Sequence, residues 1–330
     1  MKYPIGRLMA SSTAIAALLV RGIVPAQANS LQNNDPLLRI APEVLINSVS
    51  AGDLQKMPSG DLVVATANAT VTIPSDSSKP VILASGAKTL QVTLPTSEKQ
   101  ANAVTDANGR VGFDNEDEST TSLIPKKDGS LQIATTIESA SAPSSYRYEL
   151  DVPPGSTLSP TGDGSVQIIA SDGKFIAGVA APWAKDATGK SIPTSYEIDG
   201  MSLIQIVEHK SAANVTYPVV ADPWLGQDLY NQPYVSFAPQ GYKINVTPTG
   251  WGVTILAPQT WWAHRDEVKT KLGGNAWRWT NSIQEQFYCH IAGVPASLPE
   301  YNLESWRPTI NWAESLARYR CNPYDGGWSG

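Results

Sequence analysis

"SVQIIASDGKFIAGVAA", residues 165–181, sets two short apolar, β-branched runs on either side of Asp172-Gly173. Runs of Val, Ile and Thr with partial alternation suit strands. Glycine after aspartate accepts the positive φ that a type I′ turn needs, so the stretch reads as a hairpin with a two-residue loop. The pattern repeats outward in LVVATANATVTI (62–73), PVILASGAKTLQVTL (80–94), LQIATTIE (131–138), SYEI (195–198) and LIQIVEH (203–209). Ser77-Ser78, Asn108-Gly109, Asp128-Gly129, Asp163-Gly164 and Asp199-Gly200 punctuate these runs, and Asp199-Gly200 reads as a second two-residue loop. No helical pattern separates them to support βαβ units. Residues 60–222 therefore read as a mainly β domain, an antiparallel sandwich or rolled sheet.

The chain changes character near residue 223. Of ten tryptophans only Trp183 precedes that point, and both cysteines, Cys289 and Cys321, lie beyond it. From 226 to 330 eight Lys/Arg balance eight Asp/Glu, so the front carries the whole net charge of −6. An acidic, Trp-poor front and a neutral, Trp-rich back indicate two units, with 223–241 as a linker and 242–330 as a small α+β domain. Charged residues are 16% against a usual level of about 25%, which suits a loop-rich exported β protein. The acidic balance and the lack of a Lys/Arg cluster argue against nucleic acid as a partner.

Residues 1–28 obey a different logic. Lys2 and Arg7 precede the apolar run Ala10–Val20, and Ala26-Gln27-Ala28 is a small-x-small cleavage pattern. This reads as a secretory signal peptide cut after Ala28, with an uncleaved anchor as the competing reading because of Arg21. The run is shorter than the roughly 20 residues a membrane helix needs, so no stable span is expected after cleavage, and the location expected is secreted. Residues 29–59 read as a polar tail and a short helix, with Asp35 as cap, Pro36 at the first helical position and Pro42 as an interruption.

In the back, YKINV (242–246) and GWGVTILAP (250–258) read as a hairpin around Thr247–Gly250. Helices are expected at 263–272, at 281–293 with a Ser282/Glu285 capping box, and at 309–319 with Thr309 as cap. In an exported chain Cys289 and Cys321 read as a disulfide. A catalytic Cys289-His290 pair is the weaker alternative, because adjacent helical side chains point about 100° apart. No His-x-x-x-His or Cys-x-x-Cys spacing supports a metal, and the acidic loop with Asp114, Glu116, Asp117 and Glu118 lacks the EF-hand order. Neither metal nor cofactor is expected. Gly-x-Ser-x-Gly and HExxH are missing as well, and there is no Ser-x-x-Lys set with Ser-Asp-Asn and Lys-Thr-Gly companions.

His264 reads as a helix-terminal residue. His290 shares a helical face with Ile283, Phe287 and Ile291, which suits a core histidine; as a candidate acid/base it would work with Glu304 or Asp266. Glu304 and Arg307 are spaced to pair, and Trp306-Arg307-Pro308 forms a stiff corner. That corner either closes the module or, with Tyr301, lines a pocket for a sugar ring or carboxylate. Trp261-Trp262 and Trp277-x-Trp279 extend such a surface or fill the core.

Cys289-His290, Tyr301-Asn302-Leu303-Glu304, Trp306-Arg307-Pro308 and Cys321-Asn322-Pro323 together resemble the "domain of unknown function 2599" of exported actinobacterial proteins. VTYPVVADPWLG (215–226) resembles a junction at which a common β-rich front meets C-terminal parts that differ between such proteins. INVTPTGWGV (244–253) resembles the sequence on the C-terminal side of that junction. The resemblance implies a modular export layout and assigns no activity. Two functions are expected from these readings. One is a non-enzymatic secreted protein that binds a cell-envelope component or antagonises another bacterial cell, its front acting as a pro-region and its back released near Asp222-Pro223. The other is a secreted hydrolase of an envelope or saccharide substrate.

Overall fold

The computed structural model describes residues 35–95, 101–293 and 300–323. The signal-like residues 1–28 and the tail up to residue 34 lie outside the described residues. From Pro36 onward the chain is one unit, built on two large antiparallel sheets. In the first sheet, Gln55–Lys56, Leu62–Ala65, Thr70–Ile73, Val81–Ser85 and Lys88–Thr93 succeed one another as a meander. Ser145–Asp151, Ser202–Val207 and Thr194–Asp199 extend it. The second sheet runs from Thr157–Pro160 through Val166–Ile169, Phe175–Val179 and Trp224–Gly226 to Leu131–Ile137. It continues with Ser119–Pro125, Val111–Asp114 and Val104–Thr105, while Val219–Ala221 joins Leu131–Ile137 to Ala184–Lys185.

The chain crosses between the sheets several times, and one core fills the space between them. Val71, Leu83, Leu90 and Tyr148 from the first sheet cluster with Phe113, Ile133, Ile168 and Val219 from the second. This is the sandwich that the strand patterns predict. Leu131–Ile137 lies at its centre and is buried along its whole length. Ser145–Asp151 alternates strictly, with Tyr146, Tyr148 and Leu150 turned inward.

The turns differ from expectation in one respect. At Asp172-Gly173 the hydrogen bonds are Gly173 N to Ala170 O (2.9 Å) and Ala170 N to Lys174 O (2.8 Å), which enclose three loop residues. The same pair of bonds closes 57–61, 106–110, 126–130, 161–165 and 186–190. In each, only the glycine has positive φ, between +78° and +90°. A type I′ turn needs positive φ at both central residues, so these are type I turns ending in a left-handed glycine. Aspartate precedes several of these glycines because its carboxylate accepts the N–H two residues on, as Asp128 does from Ser130 (3.0 Å) and Asp163 from Ser165 (3.0 Å). At the second site Asp199 pairs with Ser202, so the two-residue loop is Gly200-Met201 rather than Asp199-Gly200.

Residues 223–241, read as a linker, carry two strands. Trp224–Gly226 completes the second large sheet, and Tyr234–Ala238 pairs with Gly241–Val246, which in turn pairs with Tyr301–Glu304. The hairpin expected between 242–246 and 250–258 does not form. Residues 252–254 turn as a 3₁₀ segment, because Gly252 lies so close to Leu229 that a Cβ there would sit 2.0 Å from its carbonyl oxygen.

Helix α1, Pro36–Ile40, and the 3₁₀ turn Pro42–Leu45 cover the outer face of the second sheet over Ile124, Ala134 and Val220, broken at Pro42 as expected. Helices α2 (Trp261–Leu272), α3 (Asn281–Gly293) and α4 (Trp312–Tyr319) pack with the three-stranded sheet around a second core that includes Tyr230, Trp251, Phe287 and Tyr301. Two caps differ from the sequence reading. Thr280 Oγ1 accepts from Ile283 N (3.3 Å), while Ser282 Oγ donates to Arg307 O (2.8 Å). Glu285 accepts from Trp312 N (2.7 Å) at the start of α4, whose cap is Asn311 and not Thr309. The Ser282/Glu285 box therefore does not form. Both side chains instead join α3 to the segment between it and α4. Among the described residues no helix is long and apolar enough to cross a membrane.

The two cores meet at Trp251. Gly178 and Gly226 are cross-strand partners in the second large sheet, and the fully buried Trp251 indole lies over the bare strip they leave. Its backbone N–H donates to Asp128 Oδ2 (2.9 Å). Nearby, Lys88 from the first sheet reaches Asp228 Oδ1 (3.2 Å) and Glu267 Oε2 (3.6 Å), and Lys271 reaches Glu267 Oε1 (3.0 Å). Glu267 Oε1 also accepts from Leu229 N and Tyr230 N. Burial raises the Glu267 pKa, and the two lysines oppose that shift.

Candidate functional site

Cys289 on α3 and Cys321 after α4 form a disulfide with Cα atoms 5.5 Å apart, so neither thiol is available as a nucleophile. His290, the next residue on α3, stacks on Tyr301 with ring centroids 4.9 Å apart and planes 9° from parallel. Its Nδ1 is buried without a hydrogen-bond partner among the described residues, and desolvation lowers its pKa to about 4. Tyr301 is itself buried, beside Phe287 and Tyr230, and burial raises its hydroxyl to about 12. The His290 side chain is thus half-buried, with its Nδ1 inside and one ring face covered by Tyr301.

Glu304 sits elsewhere. Along the strand Tyr301 and Leu303 turn inward, so by alternation Glu304 belongs to the opposite face with the exposed Asn302. Its carboxylate meets Arg307 Nε and Nη2 (both 2.5 Å) and Lys243 Nζ (3.0 Å). Its backbone is clamped by Gln286, which accepts from Glu304 N (2.8 Å) and donates to Glu304 O (3.0 Å). Asp266 pairs with Arg265 (2.6 Å). The structure therefore does not bring His290, Glu304 and Asp266 together as an acid/base set.

The Trp306-Arg307-Pro308 corner closes the module. Arg307 pairs with Glu304 as the spacing predicts, and its Nη1 donates to Pro323 O (3.0 Å) just beyond the disulfide. The cation over Trp306 is Lys243, 5.5 Å from the ring centroid, rather than the neighbouring arginine. His264 is fully buried between Tyr230 Oη (2.8 Å) and Ile255 O (2.6 Å), not at a surface terminus, and desolvation lowers its pKa to about 4. Trp261 stacks on Tyr288 and meets Trp312 edge-on, while Trp279 meets Phe287 edge-on. These aromatic groups fill the module.

One aromatic group faces outward. Phe237 and Tyr242 are cross-strand partners beside the hairpin turn of the small sheet. Arg278, at the end of the 3₁₀ segment Gly273–Arg278, lays its guanidinium between them and Trp277. Its Cζ is 4.2 Å from the Trp277 centroid, 4.9 Å from Tyr242 and 5.3 Å from Phe237. Tyr242 Oη donates to Arg278 O (2.8 Å), which fixes the arginine backbone, and Arg278 Nε donates to Asn275 Oδ1 (3.3 Å). Among the described residues no carboxylate pairs with this guanidinium. Phe237 is 73% exposed and Trp277 70% exposed, the largest such values among the described large hydrophobic side chains of this domain.

Guanidinium–aromatic stacks of this kind contribute about 0.5–2 kcal/mol. The result is a platform with two open ring faces and one cation without a carboxylate partner. The Trp277-x-Trp279 pattern pointed toward it. Phe237 was missed because it lies in the stretch read as a linker, and Arg278 because the sequence offers no partner for it. No curated protein matches the chain. Residues 236–324, which contain the platform, the disulfide and the Trp-Arg-Pro corner, match the family model described as "Protein of unknown function (DUF2599)".

Proposed function

We propose that this is an exported modular binding protein whose C-terminal domain attaches to an anionic saccharide of a bacterial cell envelope. The observation that carries the reading is the exposed pair Phe237 and Trp277 held around the uncompensated Arg278. Aromatic faces stack on the apolar faces of sugar rings, and a guanidinium binds carboxylate or phosphate through paired N–H donors. The signal-like residues 1–28 and the disulfide support an extracytoplasmic setting. The β-rich front then serves as the carrier or pro-region for this domain.

The test is co-sedimentation of the mature chain with isolated cell-wall sacculi, comparing wild type with Trp277→Ala and Arg278→Ala. Each exposed contact removed is expected to weaken retention by about three- to tenfold, in line with aromatic contacts of about 0.5–1.5 kcal/mol. Arg278→Ala should also abolish the salt dependence of binding. Equal retention of wild type and both variants overturns the assignment of this surface.

A further inference from the structure

The bond between Asp222 and Pro223 lies in the interior. Asp222 is fully buried, directly between strands Val219–Ala221 and Trp224–Gly226 of the second large sheet. External proteases act best on exposed, flexible segments, and the fold encloses this bond.

The surroundings of the bond are fixed on both sides. Asp222 Oδ1 accepts from Trp183 N (2.9 Å) and from Gln205 Nε2 (3.3 Å). Asp222 Oδ2 is buried with no hydrogen-bond partner among the described residues, and the hydroxyl of Tyr196 and Oε1 of Gln205 are in the same condition. On the other side, Pro223 O accepts from Ile133 N (2.8 Å) and Gln132 Nε2 (3.1 Å). Burial raises the Asp222 pKa well above the usual carboxylate range, which favours the protonated carboxyl. An unpartnered buried carboxyl is costly for a fold that uses it only as a hydrogen-bond acceptor.

We infer that the folded chain cleaves its own Asp222–Pro223 bond, with the Asp222 side chain as both nucleophile and proton donor. The Oδ2 proton passes to the proline nitrogen, and a carboxyl oxygen of Asp222 bonds to the carbonyl carbon of the same residue. The C–N bond breaks, leaving a five-membered cyclic anhydride at residue 222 and a secondary amine at Pro223. Water then opens the anhydride to two carboxyl groups. No oxidant, metal or second protein is consumed. Proline suits the leaving position because its departing nitrogen is a basic secondary amine. The nucleophile is in the same residue as the carbonyl, so no encounter is needed.

The halves stay together after the cut. Trp224–Gly226 remains paired with Phe175–Val179 and Leu131–Ile137, and Trp251 remains seated on Gly226. The Lys88, Asp228 and Glu267 contacts also bridge the new ends. The inference stands apart from saccharide binding and is read by mass alone.

The test incubates the purified full chain at pH 5–7 and monitors it by intact mass spectrometry under denaturing conditions. The expected products end at Asp222 and begin at Pro223, and they co-elute on a sizing column without denaturant. Hydroxylamine in the buffer should convert the new C-terminus to a hydroxamate by intercepting the anhydride. Asp222→Ala should abolish the products. Should that variant not fold, Pro223→Ala is expected to slow the cut by at least about tenfold, equivalent to about 1.4 kcal/mol. A folded wild-type chain that stays intact overturns the inference. So does cleavage that persists in Asp222→Ala, or that runs equally fast in urea, where only the ordinary lability of an Asp-Pro bond remains.

Discussion

The contact between Trp251 and the Gly178/Gly226 pair predicts the effect of a single methyl group. A Cβ at Gly226 would lie 2.4 Å from Trp251 Cδ2, 2.7 Å from Cγ and 2.9 Å from Cε2. Ordinary carbon contacts are about 3.5–4.0 Å, so the indole must move by about 1 Å. Its retreat is blocked, since Gly252 beside it abuts the Leu229 backbone and Asp128 holds the Trp251 backbone N–H. Overpacking of this kind costs about 1–3 kcal/mol, and a rigid ring with fixed backbone on both sides belongs at the upper end. With about 2–4 °C lost per kcal/mol in a domain of this size, Gly226→Ala should lower Tm by about 6–12 °C in scanning calorimetry. Gly274→Ala is the control: its Cβ meets nothing within 4 Å, so the change should stay within about 0.5 kcal/mol. Adding Trp251→Leu should recover part of the Gly226→Ala loss and give a coupling above about 1 kcal/mol. A Gly226→Ala chain that melts with wild type would refute the reasoning, because the indole would then not be held against the sheet.

Lys88→Met removes a cation from Asp228 and Glu267, whose side chains are each 6% exposed, and should cost about 3 kcal/mol; an unchanged denaturant midpoint would contradict the clasp. Cys289→Ser with Cys321→Ser should cost about 3–4 kcal/mol from a 32-residue separation, and faster amide exchange should be confined to the segment 281–323. Burial holds His290 and His264 neutral in the fold, each with a pKa near 4, against about 6.5 in the unfolded chain. The unfolded chain therefore binds protons first as pH falls. The stability these neutral rings contribute is complete above about pH 6.5 and drains away toward pH 4, by about 2 kcal/mol per histidine at pH 5. Asp222, with its raised pKa, works in the opposite direction, so the comparison must be made against a variant. His290→Phe should shrink the pH 7 to pH 5 loss by about 2 kcal/mol, and an equal loss in both proteins would show that His290 titrates normally.

The sandwich was legible because its strands bury one face in a regular two-residue rhythm or lie wholly inside. Val81–Ser85 shows that rhythm, and Leu131–Ile137 is buried throughout. Ser145–Asp151 carries the same signal in SYRYELD, but its outer positions Arg147, Glu149 and Asp151 are charged and lower its resemblance to an apolar β-branched run, while Tyr146, Tyr148 and Leu150 turn inward. The back domain was harder because local propensity there yields to packing. Val253, Thr254 and Ile255 favour strands, yet the close approach of Gly252 to Leu229 turns that segment into 3₁₀ structure. Ser282 and Glu285 have capping-box spacing, but Arg307 and Trp312 take their side chains. The Glu304–Arg307 pair was legible from its spacing of three. The opposing faces of His290 and Glu304 were not, because they depend on Tyr301–Glu304 being a strand. Only Trp277 of the outward platform was legible, in the Trp277-x-Trp279 pattern, because its assembly depends on Phe237 facing Tyr242 across a hairpin.

The proposed saccharide surface is tested most directly by NMR titration of the mature chain with soluble glycan strands released from cell-wall sacculi. The account predicts that the Trp277 indole N–H and the Arg278 Nε–H signals shift together and saturate, while those of the buried Trp251 and of Trp306 under Lys243 stay in place. Signals that move at Trp306 and leave Trp277 unchanged, or that do not move at all, would contradict it.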